Sequence, residues 1–144
     1  MKNNISTLIV DDQEADRYIL QRYLKKLDTV SFSKVFEAED GEVALSFLKD
    51  YENNTRLYPD DFPPCLIFLD INMPIVGGFD FLEEFEALQQ ESRFHSIVVV
   101  MFTSSSHPSD MERAASYSCV KGYVLKDDLG SETFARTIED ALQA

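Results

Sequence analysis

The sequence predicts an α/β domain built on a doubly wound, five-stranded parallel sheet in the order 2-1-3-4-5. Five short apolar runs alternate strictly with five segments of helical period, and such alternation gives parallel strands with helices on both faces. Thr7-Leu8-Ile9-Val10 is nearly continuous rather than alternating, as a strand buried on both sides should be. Right-handed crossovers then leave few topologies, and five strands suit the order above, with its crevice between strands 1 and 3.

The first strand is Thr7-Leu8-Ile9-Val10. Leu20, Tyr23, Leu24 and Leu27 stripe the helix after it. Phe32 to Ala38 is the second strand, and Ala44, Phe47, Leu48 and Tyr51 fall at i, i+3, i+4, i+7 on the second helix. The polar stretch Asn53 to Pro64, with Tyr58, Phe62 and three prolines, is expected as a long exposed loop. Cys65 to Leu69 is the third strand, and Phe81, Leu82, Phe85 and Leu88 mark the third helix. Ile97 to Phe102 is the most β-like run in the chain, followed by a less regular fourth helix from about Pro108 to Ser118. Tyr123-Val124-Leu125 is the fifth strand. Phe134, Ile138, Ala141 and Leu142 stripe the fifth helix, which Ser131 caps with Glu132 behind it.

The 144 residues are expected to form one domain, 1–144, with no output domain after the last helix. A chain of this size needs neither disulfide nor structural metal to fold. No apolar run approaches the ~20 residues of a membrane span, and Met1-Lys2-Asn3-Asn4 lacks the apolar core of a signal peptide. The chain is therefore expected to be cytoplasmic, away from membranes. With 26 acidic against 13 basic residues and a net charge of −13, nucleic acid is excluded as a partner, since such binding rests on Lys and Arg neutralising phosphates. Cys65 and Cys119 sit in apolar company with no second cysteine at metal-ligand spacing, and both read as reduced core residues.

The residues that close the strands carry the chemistry. Strand 1 ends in Asp11-Asp12, strand 3 in Asp70, strand 4 in Thr103-Ser104 and strand 5 in Lys126. In a parallel sheet these ends share one edge, the one where ligands bind, and strands 1 and 3 flank the switch point. Each residue has a plain alternative: a helix cap for Asp11 or Asp12, turn chemistry for Asp70, a β-branched strand end for Thr103, a solvated surface lysine for Lys126. Those alternatives do not predict the combination at one edge. Three carboxylates held together repel, which a hard divalent cation such as Mg²⁺ relieves. A carboxylate can also act as nucleophile and form an aspartyl phosphate, a transfer that needs chiefly positioning and charge stabilisation.

Leu8-Ile9-Val10-Asp11-Asp12, Leu69-Asp70-Ile71-Asn72-Met73-Pro74-Ile75-Val76-Gly77-Gly78, Phe102-Thr103-Ser104 and Tyr123-Val124-Leu125-Lys126 together resemble the receiver domain of bacterial two-component response regulators. The resemblance runs in order from about Ile5 to Leu142. It implies the flavodoxin-like receiver fold, with Asp70 as phosphoacceptor and Thr103 and Lys126 on the phosphoryl oxygens. It implies Mg²⁺ held by Asp12 directly, by Asp11 directly or through water, by Asp70, and by the backbone carbonyl of Asn72. Tyr123 matches the switch aromatic. The implied partner is a histidine kinase or phosphotransfer protein, and the face made by helix 4, strand 5 and helix 5 is the candidate for homodimerisation or partner docking. The chain departs from the family pattern in three places: Lys126 precedes Asp127 rather than a cis proline, Gly77 stands where an acidic or polar residue is common, and the 53–64 segment is long. Long loops without an output domain look similar to the small regulators of phytochrome-type histidine kinases.

Other functions fit less well. A haloacid-dehalogenase-type phosphatase wants an aspartate where Asn72 stands, and an FMN carrier wants Ser, Thr and Gly where Asp11-Asp12-Gln13-Glu14 would repel phosphate. Neither His95 nor His107 lies in a kinase or phosphotransfer motif, and both read as surface or loop residues. The chain is thus expected to be no enzyme beyond its own phosphorylation and dephosphorylation. A phosphorelay intermediate and a non-phosphorylated pseudo-receiver remain open as alternatives.

Overall fold

The computed structural model describes residues 2–143, with side chains from residue 4 onward. Its five strands are β1 (Lys2–Val10), β2 (Val30–Ala38), β3 (Leu66–Leu69), β4 (Val98–Thr103) and β5 (Val120–Leu125). They form one sheet in the order β2-β1-β3-β4-β5, every neighbouring pair parallel, as the sequence predicts. Among the described residues the α-helices are α1 (Glu14–Lys25), α2 (Gly41–Lys49), α3 (Tyr51–Leu57), α4 (Gly78–Leu88), α5 (Pro108–Ala115) and α6 (Glu132–Gln143). Ser92–Phe94 and Lys126–Asp128 add single 3-10 turns.

The inner parts of β1, β3 and β4 are apolar on both faces because each face has its own core. Leu8, Val10, Ile67, Leu69, Val99 and Met101 point to one side and meet Ala44 and Leu48 of α2, Phe81 and Phe85 of α4 and Ala114 of α5. Ile9, Leu66, Phe68, Val100 and Phe102 point to the other and meet Leu20 and Leu24 of α1 and Phe134 and Ile138 of α6. Truncating a fully buried phenylalanine such as Phe68 to alanine costs about 3–5 kcal/mol in such a setting. The Ser131 cap forms as expected, its Oγ accepting from the Phe134 N–H at 3.3 Å.

One helix more is present than the periodicity suggests. The stripe through Tyr51 crosses a break at Asp50, whose backbone leaves helical geometry at ψ 53°. Asn54 makes the break tolerable: its buried side chain donates from Nδ2 to the Phe47 carbonyl at 2.7 Å, satisfying an acceptor that the end of α2 leaves orphaned. The segment expected as an exposed loop therefore starts as helix α3, and its aromatic residues pack inward. Tyr58 lies edge-on to Phe36 and Phe62 edge-on to Phe47, with ring centroids 5.0 Å and 5.2 Å apart. The single cis peptide among the described residues is Phe62–Pro63, so Lys126–Asp127 is trans. No described helix is long and apolar enough to cross a membrane.

The cysteines divide rather than both joining the core. Cys119 is buried, and burial pushes its thiol up to about 11, whereas Cys65 is exposed one residue before β3 begins. A maleimide reagent on the folded protein at neutral pH should modify Cys65 alone, with Cys119 reacting only on denaturation. Peptide mapping of the labelled protein checks this, and equal labelling of both thiols would contradict the packing described.

Candidate functional site

Backbone pairing sets the carboxylates. The Asp11 N–H donates to the Ala38 carbonyl at 3.0 Å, and the Asp70 N–H donates to the Val10 carbonyl at 3.0 Å, so both residues are fixed where their strands end. Asp11 Oδ1 accepts from the Gln13 N–H at 2.9 Å, which turns the chain into α1. Asp70 Oδ1 accepts from the Ile71 N–H at 2.8 Å. Beyond Asp70, the chain folds back so tightly that the first residue of α4 must be glycine. A Cβ on Gly78 would collide with the Asp70 carbonyl oxygen and come within 2.8 Å of Ile71 Cα. The Gly78 N–H also donates to the Ile71 carbonyl at 2.9 Å, closing that turn.

Asp11, Asp12 and Asp70 each offer a carboxylate oxygen, all within 4.8 Å of one another. Asp11 is fully buried, Asp70 nearly so, and Asp12 half-buried. Lys126, at the end of β5, reaches across to this cluster. Its Nζ lies 2.8 Å from Asp11 Oδ2, 3.1 Å from Asp70 Oδ2 and 2.8 Å from Asp16 Oδ2. The approach to Asp11 Oδ2 is that of an ion pair, outside hydrogen-bond angles, and this buried oxygen has no hydrogen-bond partner. Burial pushes the Asp11 carboxyl above its ordinary range, against the downward pull of Lys126 and the Gln13 N–H. Burial works against the Lys126 charge too, but Asp11, Asp16 and Asp70 outweigh it and hold the ammonium well above its usual value. Three carboxylates brought this close, with one buried oxygen that no hydrogen bond satisfies, suit a small divalent cation.

Asp12, Asp70, Asn72 and Lys126 line one open cleft of about 410 Å³, together with Gln13, Asp16, Ser104 and Asp127. Thr103 ends β4 beside them, but its buried hydroxyl is turned to its own loop, accepting from the Ser105 N–H at 3.3 Å. Tyr123 on β5 is half-buried, and its hydroxyl donates to the Ser105 carbonyl at 2.7 Å. The two residues therefore grip Ser105 from opposite ends of its backbone.

Three residues of the site are not foreseen by motif or spacing. Asp16 lies in the first turn of α1, where an acid also suits the helix dipole, so nothing in its position distinguishes it from Glu14. Arg17 donates from a terminal nitrogen to the Asp11 carbonyl at 2.7 Å and from Nε to Glu37 at 2.9 Å, tying the acidic turn to the end of β2. Ser105 is the third. Each acts through a contact distant in sequence or through the backbone, which residue type alone does not reveal.

The Lys126 arrangement has a stability consequence. Lys126→Met leaves Asp11, Asp16 and Asp70 without their shared counter-charge, and stability at neutral pH should fall by about 3 kcal/mol. Protonation relieves the repulsion, so the deficit should shrink as pH drops through the carboxyl range, beginning early because the Asp11 carboxyl is raised. Urea unfolding of both proteins at neutral and acidic pH measures it.

Residues 7–132 match the family described as the response regulator receiver domain. The chain is 34% identical over 123 residues to the response regulator Rcp1 of Synechocystis, covering 83% of this chain and 74% of that protein. It is 30% identical over 126 residues to the chemotaxis protein CheY-3 of Vibrio cholerae, covering 88% and 83%. Among solved structures, the receiver domain of the Arabidopsis thaliana histidine kinase CKI1, in complex with Mg²⁺ and BeF₃⁻, superposes with a TM-score of 0.76 at 17% identity, covering 97% of this chain and 91% of that one. The Mn²⁺-bound form of Rcp1 superposes with a TM-score of 0.63 at 25% identity, covering 96% and 90%.

Proposed function

We propose, from the premise that this chain belongs to the response-regulator receiver family, that it accepts a phosphoryl group on Asp70 in a Mg²⁺-dependent reaction. The observation that carries the reading is the meeting of Asp11, Asp12 and Asp70 within 4.8 Å, with Lys126 Nζ 3.1 Å from the Asp70 carboxylate. The donor is a histidine kinase or phosphotransfer protein, and the protein works in the cytoplasm. It acts on no separate substrate, catalysing only its own phosphorylation and dephosphorylation.

Asp12, Asp11, Asp70 and the Asn72 carbonyl would hold Mg²⁺. Bound there, the ion would neutralise charge on the phosphoryl oxygens. The chain's own residues do the rest. Asp70 Oδ1 is committed to the Ile71 N–H, which leaves Oδ2, the oxygen facing Lys126, to meet the donor. A new O–P bond forms at Asp70 as the donor's P–N or P–O bond breaks. Lys126 and the Thr103 hydroxyl take phosphoryl oxygens, and the backbone bond from the Asp70 N–H to the Val10 carbonyl keeps the attacking carboxylate in place. With Mg²⁺ and acetyl phosphate, intact-mass spectrometry should show one added phosphoryl group, absent from Asp70→Asn. Failure of the wild type with every donor, or efficient modification of Asp70→Asn, would refute the proposal. Asp12→Ala should weaken Mg²⁺ binding at least tenfold, as loss of a direct ligand would.

The signal leaves through protein contact. A phosphoryl group adds about −1.5 to −2 charge and three acceptor oxygens. Turning the Thr103 hydroxyl toward it breaks the bond to the Ser105 N–H, and the Ser105 carbonyl then shifts relative to the Tyr123 hydroxyl. Tyr123, no longer held by that carbonyl, can change rotamer, which reshapes the face of α5, β5 and α6, the candidate surface for a homodimer or an effector. Beryllofluoride with Mg²⁺ should therefore change self-association or the NMR shifts of residues 104–126. Thr103→Ala should blunt that response without preventing modification of Asp70. Shifts confined to the surroundings of Asp70, with unaltered sedimentation, would leave a plain relay carrier instead.

A further inference from the structure

Lys126 is shared three ways, and only one of its partners is dispensable to the chemistry proposed above. Asp11 and Asp70 belong to the cation site and the acceptor. Asp16 comes from α1, 110 residues away in sequence, and its Oδ2 both accepts from Nζ at 2.8 Å and lines the cleft. The helix dipole accounts for an acid in the first turn of α1 but not for this aim. Glu14 shares that turn and stays exposed, without reaching the lysine. The Lys126 side chain is only 14% exposed and that of Asp16 33%, so the pair is shielded well beyond an ordinary surface ion pair.

We propose that Asp16 is a positioning residue that brakes phosphoryl acceptance, a role that rests on the function proposed above. In the resting state it holds the Lys126 ammonium on a carboxylate. The incoming phosphoryl group must take that ammonium over, and it must do so beside a fourth negative charge in the same cleft. Asp16 makes and breaks no covalent bond. Its effect is on the ion pair that has to be exchanged and on the field the phosphoryl group enters. The same charge acts oppositely on a cation: it draws Mg²⁺ toward the cleft and takes a share of the Lys126 ammonium that Asp11 and Asp70 would otherwise hold alone. Asp16 thus favours the metal and disfavours the phosphoryl group.

Asp16→Asn separates these effects. At saturating Mg²⁺ its initial rate of modification by acetyl phosphate should rise about fivefold, the size of one partly exposed ion-pair contact. Its Mg²⁺ affinity, read by calorimetric titration, should fall by a similar factor. Asp16→Glu, which restores the charge, should return both toward wild type. Nitrogen-15 NMR of the Lys126 ammonium tests the pairing without any phosphodonor: its resonance should move in Asp16→Asn and stay fixed in Asp28→Asn, a control on an exposed turn. Circular dichroism verifies that each variant folds. A wild type that is modified while Asp16→Asn is no faster overturns the brake and leaves the phosphoacceptor assignment standing. An unmoved Lys126 resonance overturns the pairing itself. A wild type that accepts no phosphoryl group from any donor overturns the function proposed and the brake with it.

Discussion

Like charges brought to one edge of a parallel sheet repel unless something opposite lies between them. Here Lys126 Nζ stands within 3.1 Å of three carboxylates, and the placement of the surrounding elements keeps it there. The carboxylates cannot drift apart, because the ends of β1 and β3 are locked by backbone bonds at Asp11 and Asp70. Nor can β3 yield, since all four of its residues are buried between two cores. Close-packed interiors transmit strain instead of absorbing it. The apolar sheet is thus what allows an electrostatically unfavourable arrangement to persist. Divalent cation and phosphoryl chemistry would draw on that stored tension.

The same rigidity concentrates any response in the loop after β4. Ser105 offers its N–H to the Thr103 hydroxyl and its carbonyl to the Tyr123 hydroxyl, and its own Oγ donates to Asp110 of α5 at 2.6 Å. Neutral hydrogen bonds contribute about 1 kcal/mol each, against about 1.5–3 kcal/mol for bonds to a charged group. A phosphoryl group offering charged acceptors to Thr103 and Lys126 would outweigh the two neutral bonds that the Ser105 backbone makes at rest. Because Ser105 joins β4, β5 and α5, the loop cannot relax without disturbing the α5–β5–α6 face. On the switch proposed above, the coupling would run through Ser105.

Most of the architecture was legible because its determinants are local. Apolar runs marked the strands, and the polar residues closing β1, β3, β4 and β5 marked the candidate edge; Asp11, Asp12, Asp70 and Lys126 meet where the topology says they should. The features that were not legible depend on partners far along the chain or on burial that residue type does not report. The stripe through Tyr51 reads as one helix because periodicity cannot see Asn54 capping Phe47. Tyr58 and Phe62 look exposed amid prolines until α2 and β2 supply rings to pack on. Cys65 looks like core because its neighbours are apolar, yet it precedes the strand's first buried residue. Asp16 looks like a helix-dipole acid until Lys126 arrives beside it.

The two departures from the family pattern nearest the site are absorbed by local geometry. Where a cis proline would bend the chain after the lysine, the trans bond to Asp127 opens a single 3-10 turn, and Leu129, buried at 6% exposure, pins its end against the α1–α6 core. The bend is thereby anchored by hydrophobic burial rather than by a peptide isomer, and Lys126 still faces the cleft. Gly77 gives up a polar side chain, but a Cβ there would lie 3.2 Å from the Ile71 carbonyl that the Gly78 N–H needs. Two adjacent glycines let α4 begin directly against the strand end bearing Asp70, whose carbonyl and the Ile71 backbone lie in close contact with Gly78. A side chain at Gly78 would push that backbone, and with it the distance between Asp70 and Lys126 on which the charge balance of the site depends.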